Sequence, residues 1–151
     1  MQSRPQGISP SDILGKWNIV SWLQLYDDGG KVAPLGEALK GFIRYLADGD
    51  MICMIARADR SLFTSGGQWD ASDAEKSGAY NSTLAYVGRF RLEGDTVIHM
   101  VETSLYPNWD GGEQRRQVRI EGDELFIEAR LEDGTPQART AQLRWIRSNN
   151  G

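Results

Sequence analysis

Short acidic turns containing glycine recur along the chain and leave little room for anything but strands between them. Asp48-Gly49-Asp50, Glu93-Gly94-Asp95, Glu121-Gly122-Asp123 and Glu132-Asp133-Gly134 each interrupt a run rich in Val, Ile, Leu and aromatic residues. Glycine accepts the positive φ of a tight hairpin loop, and an acidic side chain beside it bonds its own backbone, so each triplet is a hairpin signal. The runs themselves predict strands over 16–26, 41–47, 51–58, 83–92, 96–105, 114–120, 125–131 and 138–147, with a short edge strand and loop in 31–40. Strands joined by hairpins are antiparallel, and a sheet of eight or more curls until its edges meet. The expected fold is all-β, an up-and-down barrel of about eight to ten strands.

Two places depart from this pattern. Ser9-Pro10-Ser11-Asp12 offers an N-cap and an early proline for one helical turn, stopped at Gly15. Ser72-Asp73-Ala74-Glu75 has the spacing of a capping box and predicts a short helix near 72–80. Residues 1–8 read as a flexible arm and 9–148 as one barrel domain, a length that buries about 70% of the unfolded surface.

Charge and cysteine content narrow the partners. A net charge of -4 and a pI near 5.0 provide no field for nucleic acid or anionic lipid, although Arg89, Arg91, Arg115, Arg116 and Arg119 make local basic runs. The single Cys53 excludes an internal disulfide. No apolar run approaches the roughly 20 residues of a membrane span, and residues 1–10 lack the apolar centre of a signal peptide. The expectation is a cytoplasmic protein with no nucleic-acid or membrane partner; a homodimer is left open.

Gly15-Lys16-Trp17 at the head of the first strand resembles the Gly-x-Trp opening of lipocalins, with Arg144 or Arg147 available to cover the tryptophan. Similarity to the microbial lipocalin-like domain family, barrels of the calycin type, extends over nearly the whole chain. It is carried by Pro34-Leu35-Gly36, Gly41-Phe42-Ile43-Arg44-Tyr45, Asp48-Gly49-Asp50-Met51, Arg57-Ala58-Asp59-Arg60, Tyr86-Val87-Gly88-Arg89-Phe90 and Ser104-Leu105-Tyr106-Pro107-Asn108-Trp109. The resemblance implies an eight- to ten-stranded barrel holding a cup for a small apolar molecule. Some barrels of related shape act as cyclases or isomerases in natural-product biosynthesis, so the fold alone does not decide activity.

The polar residues of the inner faces bear on that choice. The strand from 96 to 105 carries the only histidine, His99, and an acid, Glu102, and regular alternation turns one register's His99 inward and the other's Glu102. Either is a candidate catalytic acid or base. Val118 and Ile120 share a face with Gln114 and Arg116. With Val118 inward, Arg116 enters the cup, where its charge needs Glu102 or a ligand carboxylate or phenolate. Trp22, Arg44, Met54, Tyr86, His99, Arg116 and Trp109 are expected to contribute ligand contacts. Trp109, on the loop after Pro107, and Trp69, in the 59–82 insertion, are expected to anchor lids over the mouth. No Gly-x-Ser-x-Gly elbow, phosphate loop, His pair or Cys cluster is present, so no metal and no cofactor is expected. Two functions follow from these residues: binding of a small hydrophobic or aromatic metabolite, or a cofactor-independent cyclase or isomerase in the same cup.

Overall fold

The computed structural model describes residues 8–149. Among them, nine strands form one antiparallel sheet: β1 (Gly15–Tyr26), β2 (Lys31–Val32), β3 (Leu39–Tyr45), β4 (Asp50–Arg57), β5 (Thr83–Glu93), β6 (Thr96–Ser104), β7 (Glu113–Glu121), β8 (Glu124–Leu131) and β9 (Arg139–Arg147). From β3 to β9 each strand lies beside its successor, and β9 returns to pair with β1 from Trp17↔Arg147 to Tyr26↔Arg139. Eight strands therefore close into a barrel, and the two residues of β2 are added outside on β1. The glycines of all four predicted turns, Gly49, Gly94, Gly122 and Gly134, adopt positive φ.

One end is sealed. A single turn of helix, α1 (Pro10–Ile13), lies beneath the fully buried Trp17, whose Nε1 donates to the Ile13 carbonyl at 2.8 Å. The Arg147 guanidinium lies 3.9 Å from the centre of the Trp17 ring and donates to the carbonyls of Leu14 and Asp12 at 3.0 and 2.9 Å. Arg147 is thus the arginine that covers this tryptophan, while Arg144 pairs with Glu124 outside. Of the predicted arm, residues 1–7 lie outside the described residues. Ile8 packs against the core and donates its backbone N–H to Gly94.

Two irregularities turn the inner faces. In β1, Ile19 pairs with Trp145 and Ser21 with Arg144, leaving Val20 as an extra residue turned outward. Below the bulge Trp17 and Ile19 face inward; above it Trp22 and Gln24 do. Strict alternation, which puts Trp22 on the face opposite Trp17, fails here because an inserted residue inverts every later side chain. In β6, Val101 pairs with Gly88 and Thr103 with Val87, so Glu102 has no partner and is exposed. A Cβ on Gly88 would lie 2.0 Å from the Met100 carbonyl oxygen, so the strands can approach this closely only at glycine.

The outer wall absorbs most of the basic residues. Arg89 pairs with Asp50, Arg91 with Glu93 and Glu113, Arg115 with Glu93, and Arg119 with Glu121. These are solvated pairs of small individual value. Their consequence is that Arg116, alone of that group, faces the interior.

Candidate functional site

Above the sealed end the barrel encloses a cavity of about 330 Å³. The pairing register arranges its wall in tiers. Val118, Ile127, Leu143 and Trp22 succeed one another across β7, β8, β9 and β1. In the next tier up, Ala129, Ala141 and Gln24 are paired, and Arg116 stands one step beyond the Gln117↔Glu128 pair. Leu131, Arg139 and Tyr26 form the rim above. Two alanines in the Arg116 tier leave the space that larger side chains fill below.

His99 lies on β6, the strand beside β7, where it pairs with Gln114. It is 2% exposed, its Nε2 lies 2.7 Å from the Tyr45 hydroxyl and its Nδ1 lies 2.8 Å from the Tyr86 hydroxyl. Burial first, and the nearby Arg116 charge second, push its pKa down to about 3, so at neutral pH the ring is neutral and carries one proton. Each ring nitrogen therefore faces a hydroxyl that can donate or accept, so either tautomer of the neutral ring is satisfied. Burial raises both tyrosines well above the usual phenol range and pushes the Cys53 thiol up to about 12. The network is therefore uncharged.

Arg116 is the counterpoint. Partly buried, it donates only to its neighbour's backbone, the Arg115 carbonyl at 3.1 Å, and no Asp or Glu is among the side chains lining the cavity. Burial lowers its pKa, but a guanidinium remains charged at neutral pH. Four buried side-chain nitrogens, Trp22 Nε1, Gln114 Nε2, Arg139 Nε and Trp145 Nε1, have no hydrogen-bond partner among the described residues. All four side chains line this one cavity.

The predicted residues divide as follows. Trp22, Tyr86, His99, Trp109 and Arg116 line the cavity. Arg44 and Met54 do not. Their strands turn Ile43 and Tyr45, and Met51, Cys53 and Ile55, inward, which leaves Arg44 and Met54 on the outer face, Met54 43% exposed. Glu102 is on the outside as well, on the face of β6 opposite His99. Gln24, Gln114, Arg139 and Trp145 complete the wall. Gln114 was readable from its shared face with Arg116, whereas Gln24 is turned inward by the β1 bulge, which no turn residue announces.

The mouth has one aromatic anchor. Trp109, in a 3₁₀ turn at Pro107–Trp109, meets Tyr86 and Tyr106 edge to face at 5.8 and 5.6 Å. Trp69 is 80% exposed and does not cover the opening. Its loop is held instead by α2 (Asp73–Tyr80). Ser72 caps that helix through the Glu75 N–H, but the Glu75 carboxylate turns away to accept from the Ser65 hydroxyl and from the backbones of Thr64 and Ser65, which together draw its pKa down to about 2. Outside the barrel, a groove of about 530 Å³ lies between α2 and residues 57–63. Its Arg57 is already matched by Asp59, and no unpartnered buried donor faces it.

A closed eight-stranded barrel, a tryptophan at its sealed end covered by an arginine, and an internal cup define the lipocalin type of protein. The lipocalin-like domain model matches residues 14–148, and the chain belongs to that family. Over 64 residues it is 47% identical to a curated relative, the 4'-hydroxy-3'-methoxypropiophenone carrier protein ppsC of Aspergillus oryzae; the match covers 37% of this chain and 58% of that protein's length. No helix among the described residues is long and apolar enough to cross a membrane.

Proposed function

We propose that the chain binds and carries a small hydrophobic, aromatic molecule inside the barrel. The carrying observation is the open cavity of about 330 Å³, which falls in the range of small-molecule sites and is walled by Trp22, Tyr86, Trp109, Leu143 and Trp145. A barrel serving only as a scaffold would fill this space with side chains. The name of the partial relative, a carrier of an aryl ketone, supports the same class of ligand. The lone buried Cys53 fits a reducing compartment such as the cytoplasm. Acid–base turnover in the same cup finds little support: Glu102 is outside, and both His99 nitrogens are engaged by tyrosines.

The test is titration with the neutral fluorescent probe N-phenyl-1-naphthylamine, followed by displacement with 4'-hydroxy-3'-methoxypropiophenone. Wild-type protein should enhance the probe's emission with one site per chain, and the ketone should reverse it. Ala129→Phe, which fills the tier beside Arg116, should abolish the enhancement while leaving the circular dichroism of the barrel unchanged. Equal enhancement by wild type and Ala129→Phe would place the probe elsewhere and defeat the proposal.

A further inference from the structure

The donors of the cavity outnumber its acceptors. Arg116 meets no carboxylate, Trp22, Gln114 and Trp145 each present a nitrogen with nothing to bond, and no Asp or Glu faces them. Leaving buried donors without acceptors is costly, and a partly buried charge without a counter-charge adds to that cost. Gln114 is 8% exposed and Trp145 1% exposed, so bulk water does not relieve them. From this imbalance, and resting on the binding function proposed above, we infer that the ligand is an aromatic oxyanion, a phenolate or carboxylate, whose charged oxygen sits against Arg116 and Gln114. Those two residues are neighbours on one face of β7, and Ala129 and Ala141 leave the room beside them. Trp22 and Trp145, a tier or more below, are placed to donate to acceptors elsewhere on the same ligand.

The titratable groups around Arg116 sharpen the inference. Tyr45 on β3, Cys53 on β4, Tyr86 on β5 and His99 on β6 all keep to their neutral forms. On β9, Arg139 is matched by Glu132 at 2.6 Å. Among the described residues lining the cup, Arg116 is the one cation without a carboxylate partner, and an anionic ligand neutralises it. A phenol entering the cup gives up its proton to solvent and binds as phenolate.

Three probes of one size separate the alternatives: 4-nitrophenol, whose phenolate is yellow, its neutral methyl ether 4-nitroanisole, and 4-nitrobenzoate. Each is used to displace N-phenyl-1-naphthylamine across pH 5 to 9. The phenolate should compete at least about 10-fold better than the ether, and the apparent pKa of bound nitrophenol, read from the yellow band, should fall by about one unit or more, since one unit corresponds to that 10-fold preference. Arg116→Met should erase both effects while still binding the neutral dye, and Arg116→Lys should restore part of the preference. Stronger competition by nitrobenzoate with the same Arg116 dependence would name the carboxylate as the natural oxyanion. Equal competition by phenol and ether, or a preference that survives Arg116→Met, overturns the inference and leaves the carrier reading standing. If the neutral dye itself fails to bind wild-type protein, the carrier reading falls, and this one with it.

Discussion

At the scale of single residues, His99 marks how far burial moves a titratable group. Its folded pKa of about 3 lies below the ordinary value of 6.5. Between those two values the unfolded chain takes up a proton that the native chain refuses, so stability falls as pH drops from about 6.5 towards 3. The full depression corresponds to a ceiling of about 4–5 kcal/mol, with a slope approaching about 1.4 kcal/mol per pH unit inside the window. His99→Gln keeps a polar side chain between Tyr45 and Tyr86 but cannot titrate. It should lower stability at pH 7 by about 1–3 kcal/mol through imperfect bonding to the buried hydroxyls, and its disadvantage should shrink steadily between pH 6.5 and 4. Urea unfolding of both proteins at several pH values measures this, and the difference between them cancels the carboxylates they share. Parallel curves would mean that His99 is not held neutral.

At the scale of elements, β6 and its neighbour β5 depend on a local device that hydrophobic pattern does not reveal. The bulge at Glu102 requires β5 to come close at Gly88, where a Cβ would meet the backbone oxygen of Met100 at 2.0 Å and the backbone nitrogen of Glu102 at 3.0 Å. Backbone cannot swing aside as a side chain does, so Gly88→Ala should cost about 3 kcal/mol or more. Gly78, inside α2 with nothing within 4 Å of the position a Cβ would take, should respond in the opposite sense, Gly78→Ala gaining about 0.5–1 kcal/mol. Denaturant midpoints with unchanged slopes decide both, and a neutral Gly88→Ala would show that the pairing can slip. The same devices explain what was legible beforehand. Strand positions, turns and the short helix at Ser72 follow from alternation, glycine and capping, and they agree with the structure to within a residue or two. Facing follows from them only while strands stay regular. Alternation makes Arg116 and His99 readable as inward candidates; it does not choose between His99 and Glu102, because Val97 and Val101 on one face and Ile98 and Met100 on the other make both apolar; and Trp22 and Gln24 need the Val20 bulge to join Trp17 on the inner wall. Arg44 and Met54 lie outside for another reason: Ile43 and Tyr45 on β3 and Met51, Cys53 and Ile55 on β4 occupy the inner face, and period two admits only one set.

At the scale of the whole molecule, the cavity is not an appendage that can open alone. Its walls come from β1, β3, β4 and every strand from β5 to β9, and the β1–β9 seam that closes the barrel carries Trp22, Gln24, Ala141, Leu143 and Trp145 on its inner face. A ligand that binds only the closed barrel must therefore stabilise the cooperative unit as a whole. At a free concentration about 100 times its Kd, one bound molecule adds about 2.7 kcal/mol, and at this chain length each kcal/mol moves the midpoint by about 2–4 °C. Thermal unfolding should thus shift upward by on the order of 5–10 °C with a saturating ligand. The shift should grow with the logarithm of ligand concentration beyond saturation, because linkage has no plateau while the unfolded state binds nothing. Ala129→Phe should show no shift, having exchanged ligand space for side chain, and its unliganded midpoint should change less than the liganded wild type's if the phenylalanine enters without strain. A saturating shift with a fixed ceiling would point to binding by the unfolded chain as well. No shift for any small aromatic molecule, with calorimetry showing a single sharp transition, would mean that the cup collapses around its own side chains in solution and that the barrel carries nothing.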